Sequence, residues 1–448
     1  MPWLGISRRL KTLSDGGVTK IRDQTRAALP GQMHSLGVLC GIAAGAWLGA
    51  AEAPTKLVTA GLSPYTISLC MVAGVFVARW TFPTLLRGTG YVFEDLLGKP
   101  HLIVWAILAG ALWAVANTLT VFAIRDVGLS IAFPLWNTNS LIGILWGVLL
   151  FKELRGASAK NWGKVILGSV AIVVAATMLG ISTIQSASVN SKHAVAGVLA
   201  ALGASLMWGT MYVPYRKAYL SGMNPLSFVT AFTVGELGTV FTLATALTGG
   251  LHSVAAQIFL ARHFVFWLFL GGFCWVIGDL FQQYATKYIG IGRGIPLSNT
   301  NQLWGLAWGV LVFGELAGVD HSHRVIVIAG SIIMILGALA ISTAVASSEE
   351  HKSTNEALLR ECNRYKLDYY RALMAQAGIE DEKQANSKKR WWDYLIVALA
   401  MGLFVWFASG ATLPPLAMNM KWVAGLCLAL GILLFGGGWA LWKRTKFF

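Results

Sequence analysis

Charge is scarce in this chain. Only 12% of its 448 residues are Asp, Glu, Lys or Arg, about half of what a soluble domain carries. With 56% hydrophobic residues and a mean hydropathy of +0.62, an ordinary water-soluble fold is excluded. Long runs without charge cross a bilayer, each needing about 20 residues for a core of about 30 Å. Other things are missing too. There is no Walker-type phosphate loop and no catalytic motif, so neither direct ATP drive nor an enzyme is expected. The five cysteines are scattered, and Cys40, Cys70, Cys274 and Cys427 fall in apolar spans, where buried packing is the expected role. No disulfide framework, metal site or cofactor follows from them. His321-Ser322-His323 sits in a short loop and reads as surface. Residues 1–33 hold six Lys/Arg but no apolar core, so no cleavable signal peptide is expected. The net charge of +15 does not point to nucleic acid, because the basic residues lie in short loops between apolar runs.

A duplication is present. Pro134–Leu154 reads PLWNTNSLIGILWGVLLFKEL and Pro296–Leu316 reads PLSNTNQLWGLAWGVLVFGEL, identical at 14 of 21 positions. Trp113 with Asn117 recurs as Trp275 with Asp279 at the same offset of 162. Gly37, Gly41, Gly45 and Gly49 recur, at an offset of 160, as Gly197, Ala201, Ser205 and Gly209. Such self-similarity defines repeats. The small-residue column suits close helix packing, or a sliding contact between moving parts.

Twelve spans are expected, near 35–57, 65–85, 102–123, 129–151, 162–184, 194–215, 226–249, 263–286, 294–313, 324–346, 394–411 and 421–442. With a cytoplasmic N-terminus, inner segments hold 29 Lys/Arg and outer ones six, which fits the cytoplasmic membrane with both termini inside. The expected organisation is a basic N-terminal segment (1–33), a first five-helix repeat (34–190), a second (191–346), a charged linker (347–393) and two extra helices with a basic tail (394–448). Five is odd, so the second copy enters the membrane inverted. The expected class is an all-α polytopic membrane protein with ten helices in two inverted repeats plus two. The linker reads as a cytoplasmic amphipathic helix over 354–378, on the bilayer surface or in solvent. The last two helices read as peripheral, for packing or homo-oligomer contact.

Intramembrane acids are costly, about 2.5–3.5 kcal/mol at a helix centre, and mark functional sites. Glu52, Glu236 and Asp279 qualify as proton-coupling candidates, with structural acids as the alternative. Glu236 reads as a solitary carboxyl among apolar residues. Asn137, Asn139, Asn299 and Asn301 form polar entrances to the repeated helices, where Pro134 and Pro296 loosen a turn. Asparagine both donates and accepts, which suits sugar hydroxyls. Trp113 and Trp275 offer flat faces, and Asn117 and Gln283 complete the substrate-binding candidates; interfacial Trp and capping Asn are the alternative. Glu153 and Glu315 read as partners of nearby Lys or Arg.

These features resemble the drug/metabolite transporter superfamily: two five-helix repeats, a Trp–Asn/Asp pair in each third helix, and fourth helices ending in FKEL or FGEL. The segments GALWAVANTLTVFAIRDVGLSIAFPLWNTN and GFCWVIGDLFQQYATKYIGIGRGIPLSNTN are similar to its glucose/ribose uptake and rhamnose–proton symporter branch, over residues 34–346. The expected function is secondary transport of a small neutral solute, a monosaccharide first, with proton coupling and alternating access. The alternatives are another metabolite on the same fold, or a receptor or scaffold signalling through 347–393. The expected partners are the solute, protons or another coupling ion, and the lipid bilayer.

Overall fold

The computed structural model describes residues 30–51, 53–57, 62–127, 135–182, 194–314, 321–379, 389–413 and 417–447. They form helices, and there is no strand among the described residues. The first copy contributes α1 (Pro30–Ala50), α2 (Pro64–Leu86), α3 (Thr89–Leu97), α4 (Pro100–Val127), α5 (Asn139–Phe151) and α6 (Ala159–Ser182). The second contributes α7 (Ala194–Leu220), α8 (Pro225–Leu247), α9 (Leu251–Leu260), α10 (Val265–Ile289), α11 (Ile291–Ser298), α12 (Asn301–Ala307) and α13 (His321–Ser342). Then come α14 (Ser348–Tyr365), α15 (Tyr369–Gln376), α16 (Trp391–Ser409) and α17 (Met420–Thr445). Ten of these are long and apolar enough to cross a membrane; the protein is an all-α, multi-pass membrane protein.

Twelve spans were the expectation, with the starts of the fourth and ninth loosened at Pro134 and Pro296, and it is these two that are interrupted. α5 has only 13 residues. The ninth segment is split into α11, of eight residues, and α12, of seven, which runs on into a π turn at Trp308–Val312. At the two breaks the Thr138 hydroxyl donates to the Leu135 carbonyl at 2.6 Å and the Thr300 hydroxyl to the Leu297 carbonyl at 2.8 Å; Pro296, inside α11, has no amide to bond the preceding turn.

The packing repeats itself when the copies are exchanged. α1 packs on α10 as α7 packs on α4, and α2 packs on α10 as α8 packs on α4. Like meets like where α2 touches α8, α5 touches α11 and α6 touches α13. Bare glycines make the closest approaches. A Cβ on Gly74 would overlap the Phe269 carbonyl, and one on Gly272 the Met71 carbonyl. The equivalent seam pairs Gly110 with the Phe232 carbonyl and Gly235 with that of Ile107. Without a hydrophobic drive between helices in lipid, such backbone contact is what holds them together. The glycine column of α1 serves the same end: Gly45 abuts Thr300 and Gly49 abuts Asn301. Even the short linking helices correspond, with α3 and α9 each preceded by a left-handed glycine, Gly88 (φ 84°) and Gly250 (φ 96°).

Both ends of the helical body lie on one face. Arg444 near the end of α17 donates to the Gln32 carbonyl at the start of α1 at 2.8 Å, and Tyr284 donates to Phe447. The last two helices are peripheral: α16 lies on α2 and α17 on α1, with Leu399, Trp406, Ile432 and Phe435 exposed. Cys40 and Cys70 are buried as expected, whereas Cys274 is half-buried and Cys427 is exposed on α17. The charged linker forms two helices among the described residues, α14 and α15, and α14 buries one side against the helical body. It docks on the ends of α5 and α7 with Leu358 and Cys362 buried.

Candidate functional site

The polar centre is built by α2, α8 and α10. Arg79 of α2 donates through Nη1 to Glu236 Oε2 of α8 at 2.8 Å and through Nη2 to Asp279 Oδ2 of α10 at 2.7 Å. All three side chains are 0% exposed. Glu236 is therefore not the solitary carboxyl that its apolar neighbours in sequence suggest. Arg79, counted among the 29 inner-loop cations, sits well inside α2. A guanidinium fork suits this task, because its fixed donors can hold two carboxylates at once. One positive and two negative groups leave a net charge of −1 when all are ionised. Uncompensated charge is expensive in a dry interior, and one proton would balance the set.

Aromatic rings enclose the triad. The Arg79 guanidinium lies 4.2 Å from the Phe232 ring centre and 5.3 Å from that of Trp275. Trp275 meets Trp113 edge-on at 4.9 Å, and Phe232 meets Tyr215 at 5.3 Å. Trp113 and Tyr215 are buried, yet Trp113 Nε1 and the Tyr215 hydroxyl have no hydrogen-bond partner among the described residues. Buried unpaired donors are rare and call for a reason. Gln283, one turn past Asp279, donates to its carboxylate at 3.2 Å and accepts from the Tyr219 hydroxyl.

A second polar centre lies where α5 meets the break between α11 and α12. Asn299 Nδ2 donates to Asn139 Oδ1 at 2.7 Å and to the Ser140 hydroxyl. Asn137 is buried beside them, with its carbonyl 3.5 Å from Asn299 Nδ2. Asn301 is half-buried, and its Oδ1 has no partner among the described residues. The two copies thus hold each other through the repeated asparagines. Asn117 is placed differently: it donates to Ser68 rather than joining the triad. The Trp113–Trp275 pair joins the copies at matched positions of the repeat. Glu52 and Glu315 lie outside the described residues. Glu153 caps α11 by accepting from the amides of Ile291 at 3.0 Å and Gly292 at 2.9 Å, with Arg216 Nε at 3.6 Å. No group of metal-ligating side chains occurs among the described residues.

Sequence reading missed Arg79. The signal was there, a lone cation inside the apolar run TISLCMVAGVFVARWTFPTLL, and the rule that flags intramembrane acids flags bases equally. It also missed Arg293 and Glu350, a buried pair discussed below.

Paired helix repeats around buried charged groups are an arrangement that membrane transport proteins use. The family model described as "Sugar transport protein" matches residues 95–182 and 198–365, more than half of the chain; the protein belongs to this family. It is similar to the Listeria monocytogenes protein named "Putative sugar uptake protein lmo0169", with 24% identity over 274 residues, covering 59% of this chain and 87% of that one. It is also similar to the glucose uptake protein GlcU of Staphylococcus xylosus, with 22% identity over 252 residues, 55% of this chain and 78% of that one. These relatives are transport proteins, in keeping with a carrier rather than an enzyme. Arg79 lies outside the segments matched by the family model.

Proposed function

We propose that the chain is a secondary active transporter. It moves a monosaccharide across the cytoplasmic membrane by alternating access, driven by protons, with residues 34–190 and 191–346 as the two halves that rock. The observation that carries this reading is the buried triad, in which α2 of one half grips α8 and α10 of the other. A proton on Asp279 or Glu236 balances the charge and releases one arm of the Arg79 fork. That ties protonation to the relative position of the halves. The unpaired Trp113 Nε1 and Tyr215 hydroxyl, one ring away from the triad, suit the hydroxyls of a sugar, and the Trp113 and Trp275 faces suit its apolar side. Asn137, Asn139, Asn299 and Asn301 lie where the two fourth helices part and line the route. The charge split favours a cytoplasmic location for the face that carries α14 and the end of α17.

The test is counterflow of labelled monosaccharides in liposomes holding the purified protein. The reading expects at least one sugar to exchange, and a pH gradient to drive its accumulation. A panel in which no monosaccharide exchanges would remove the sugar from this account.

A further inference from the structure

α14 belongs to neither repeat, yet it reaches into both. Glu350, in its first turn, is buried. Arg293 of α11 grips it with both arms, Nη1 to Oε1 at 2.8 Å and Nη2 to Oε2 at 2.7 Å. The Leu154 amide, just past the end of α5, donates to Oε2 at 3.1 Å. α5 is the fourth helix of the first copy and α11 begins the fourth segment of the second. One carboxylate from outside the repeats therefore joins the equivalent segments of both. Its neighbours strengthen the joint. Arg155 donates to the Ser353 hydroxyl at 3.2 Å, and the Ser347 hydroxyl donates to the Arg155 carbonyl. Further along α14, Glu361 pairs with Lys217 at 3.4 Å, and Tyr365 stacks on His101 at 3.6 Å.

A centre enclosed as this one is must open by separating helices at one face or the other. At the α14 face the parting line runs between the end of α5 and the start of α11. Two carboxylates cross it. Glu153 belongs to the first copy and moves with it. Glu350 does not, and it can leave only if α14 lifts. We infer that α14 is a strap holding this face closed, and that Glu350 is its latch: release of Glu350 from Arg293 and the Leu154 amide opens the centre to that side. The charged segment from 347 onward then controls access to the core, and whatever binds α14 controls transport. This draws its meaning from the alternating-access reading, but its test needs no sugar and stands or fails independently of the substrate.

The experiment is amide hydrogen exchange on the full chain in lipid nanodiscs, parent against Glu350→Gln. Amides in 150–156 and 288–298 are expected to exchange at least about tenfold faster, since a buried fork has lost its partner, with no change near Arg79 and Glu236. Arg293→Lys keeps the charge but loses the fork, so a smaller rise in the same segments is expected; it serves if Glu350→Gln does not fold. A second readout is a cysteine at Ile295, fully buried on α11. With Cys362 and Cys427 both replaced by serine, Ile295→Cys should react with a water-soluble thiol reagent at least about tenfold faster once Glu350→Gln is added. Exchange and labelling left unchanged at these segments would overturn the strap. So would an equal rise over the whole chain, which would make Glu350 a general stabiliser.

Discussion

Arg79 holds two carboxylates that both belong to the other half of the molecule. The three residues answer differently to substitution. Asp279→Asn leaves Arg79 and Glu236 as a balanced pair, and the asparagine Oδ1 can still accept from Gln283. Normal folding is expected. Arg79→Ala leaves two buried acids facing no cation, a loss of about 3–5 kcal/mol. Thermal melting of the detergent-purified proteins checks the contrast: a large drop for Arg79→Ala and little for Asp279→Asn. Sequence pattern revealed both acids, because a charge inside an apolar run stands out. It did not reveal the triad. Arg79 is 157 residues from Glu236 and 200 from Asp279, and nothing local to a helix states which other helix it will meet. The asparagines stood out as a repeated polar run, but the pattern did not say that Asn299 would meet Asn139, which is not its repeat mate.

At the scale of the element, the glycine seams fix how near the helices come. Gly110→Ala would drive a methyl into the Phe232 carbonyl, with the Glu236 amide 2.8 Å away. It therefore moves the helix that carries a triad acid. Gly163, inside α6, has nothing within 4 Å of its would-be Cβ, so Gly163→Ala is expected to be neutral or to stabilise by up to about 1 kcal/mol. Melting temperature and counterflow rate together separate the two: Gly110→Ala loses both and Gly163→Ala keeps both. The broken ninth segment was legible, because proline and the Asn-Thr-Asn run announced it. The docking of α14 was not. Its composition suits water or a lipid surface, and only the distant Arg293 gives Glu350 a reason to be buried. Burial alone would raise the Glu350 carboxyl, but the hydrogen bonds and charge of Arg293, the Leu154 amide and Arg216 outweigh it and hold the pKa below the usual value of 4.5. A depressed folded value means that the stabilisation is present above the unfolded pKa and is lost as pH falls through the folded one. The melting difference between parent and Glu350→Gln should stay constant from about pH 8 to about pH 6 and shrink only below about pH 4.5.

For the whole molecule, the proposed alternating access requires two packings of the paired repeats that differ little in energy, one for each side of the membrane. The copies match in shape at their seams but not in charge: Asp279 stands where the first copy has Asn117, and Val240 where α2 has Arg79, judged by the offset of Pro64 from Pro225. An asymmetric charge set within a symmetric frame allows one proton to bias the rocking of both halves. The most direct measurement is proton movement during sugar flux in liposomes holding a pH-sensitive dye, parent against Asp279→Asn. The account predicts that sugar added to the parent carries protons with it, while Asp279→Asn exchanges the same sugar with no proton movement and no accumulation under a pH gradient. Proton movement by Asp279→Asn equal to that of the parent would contradict it.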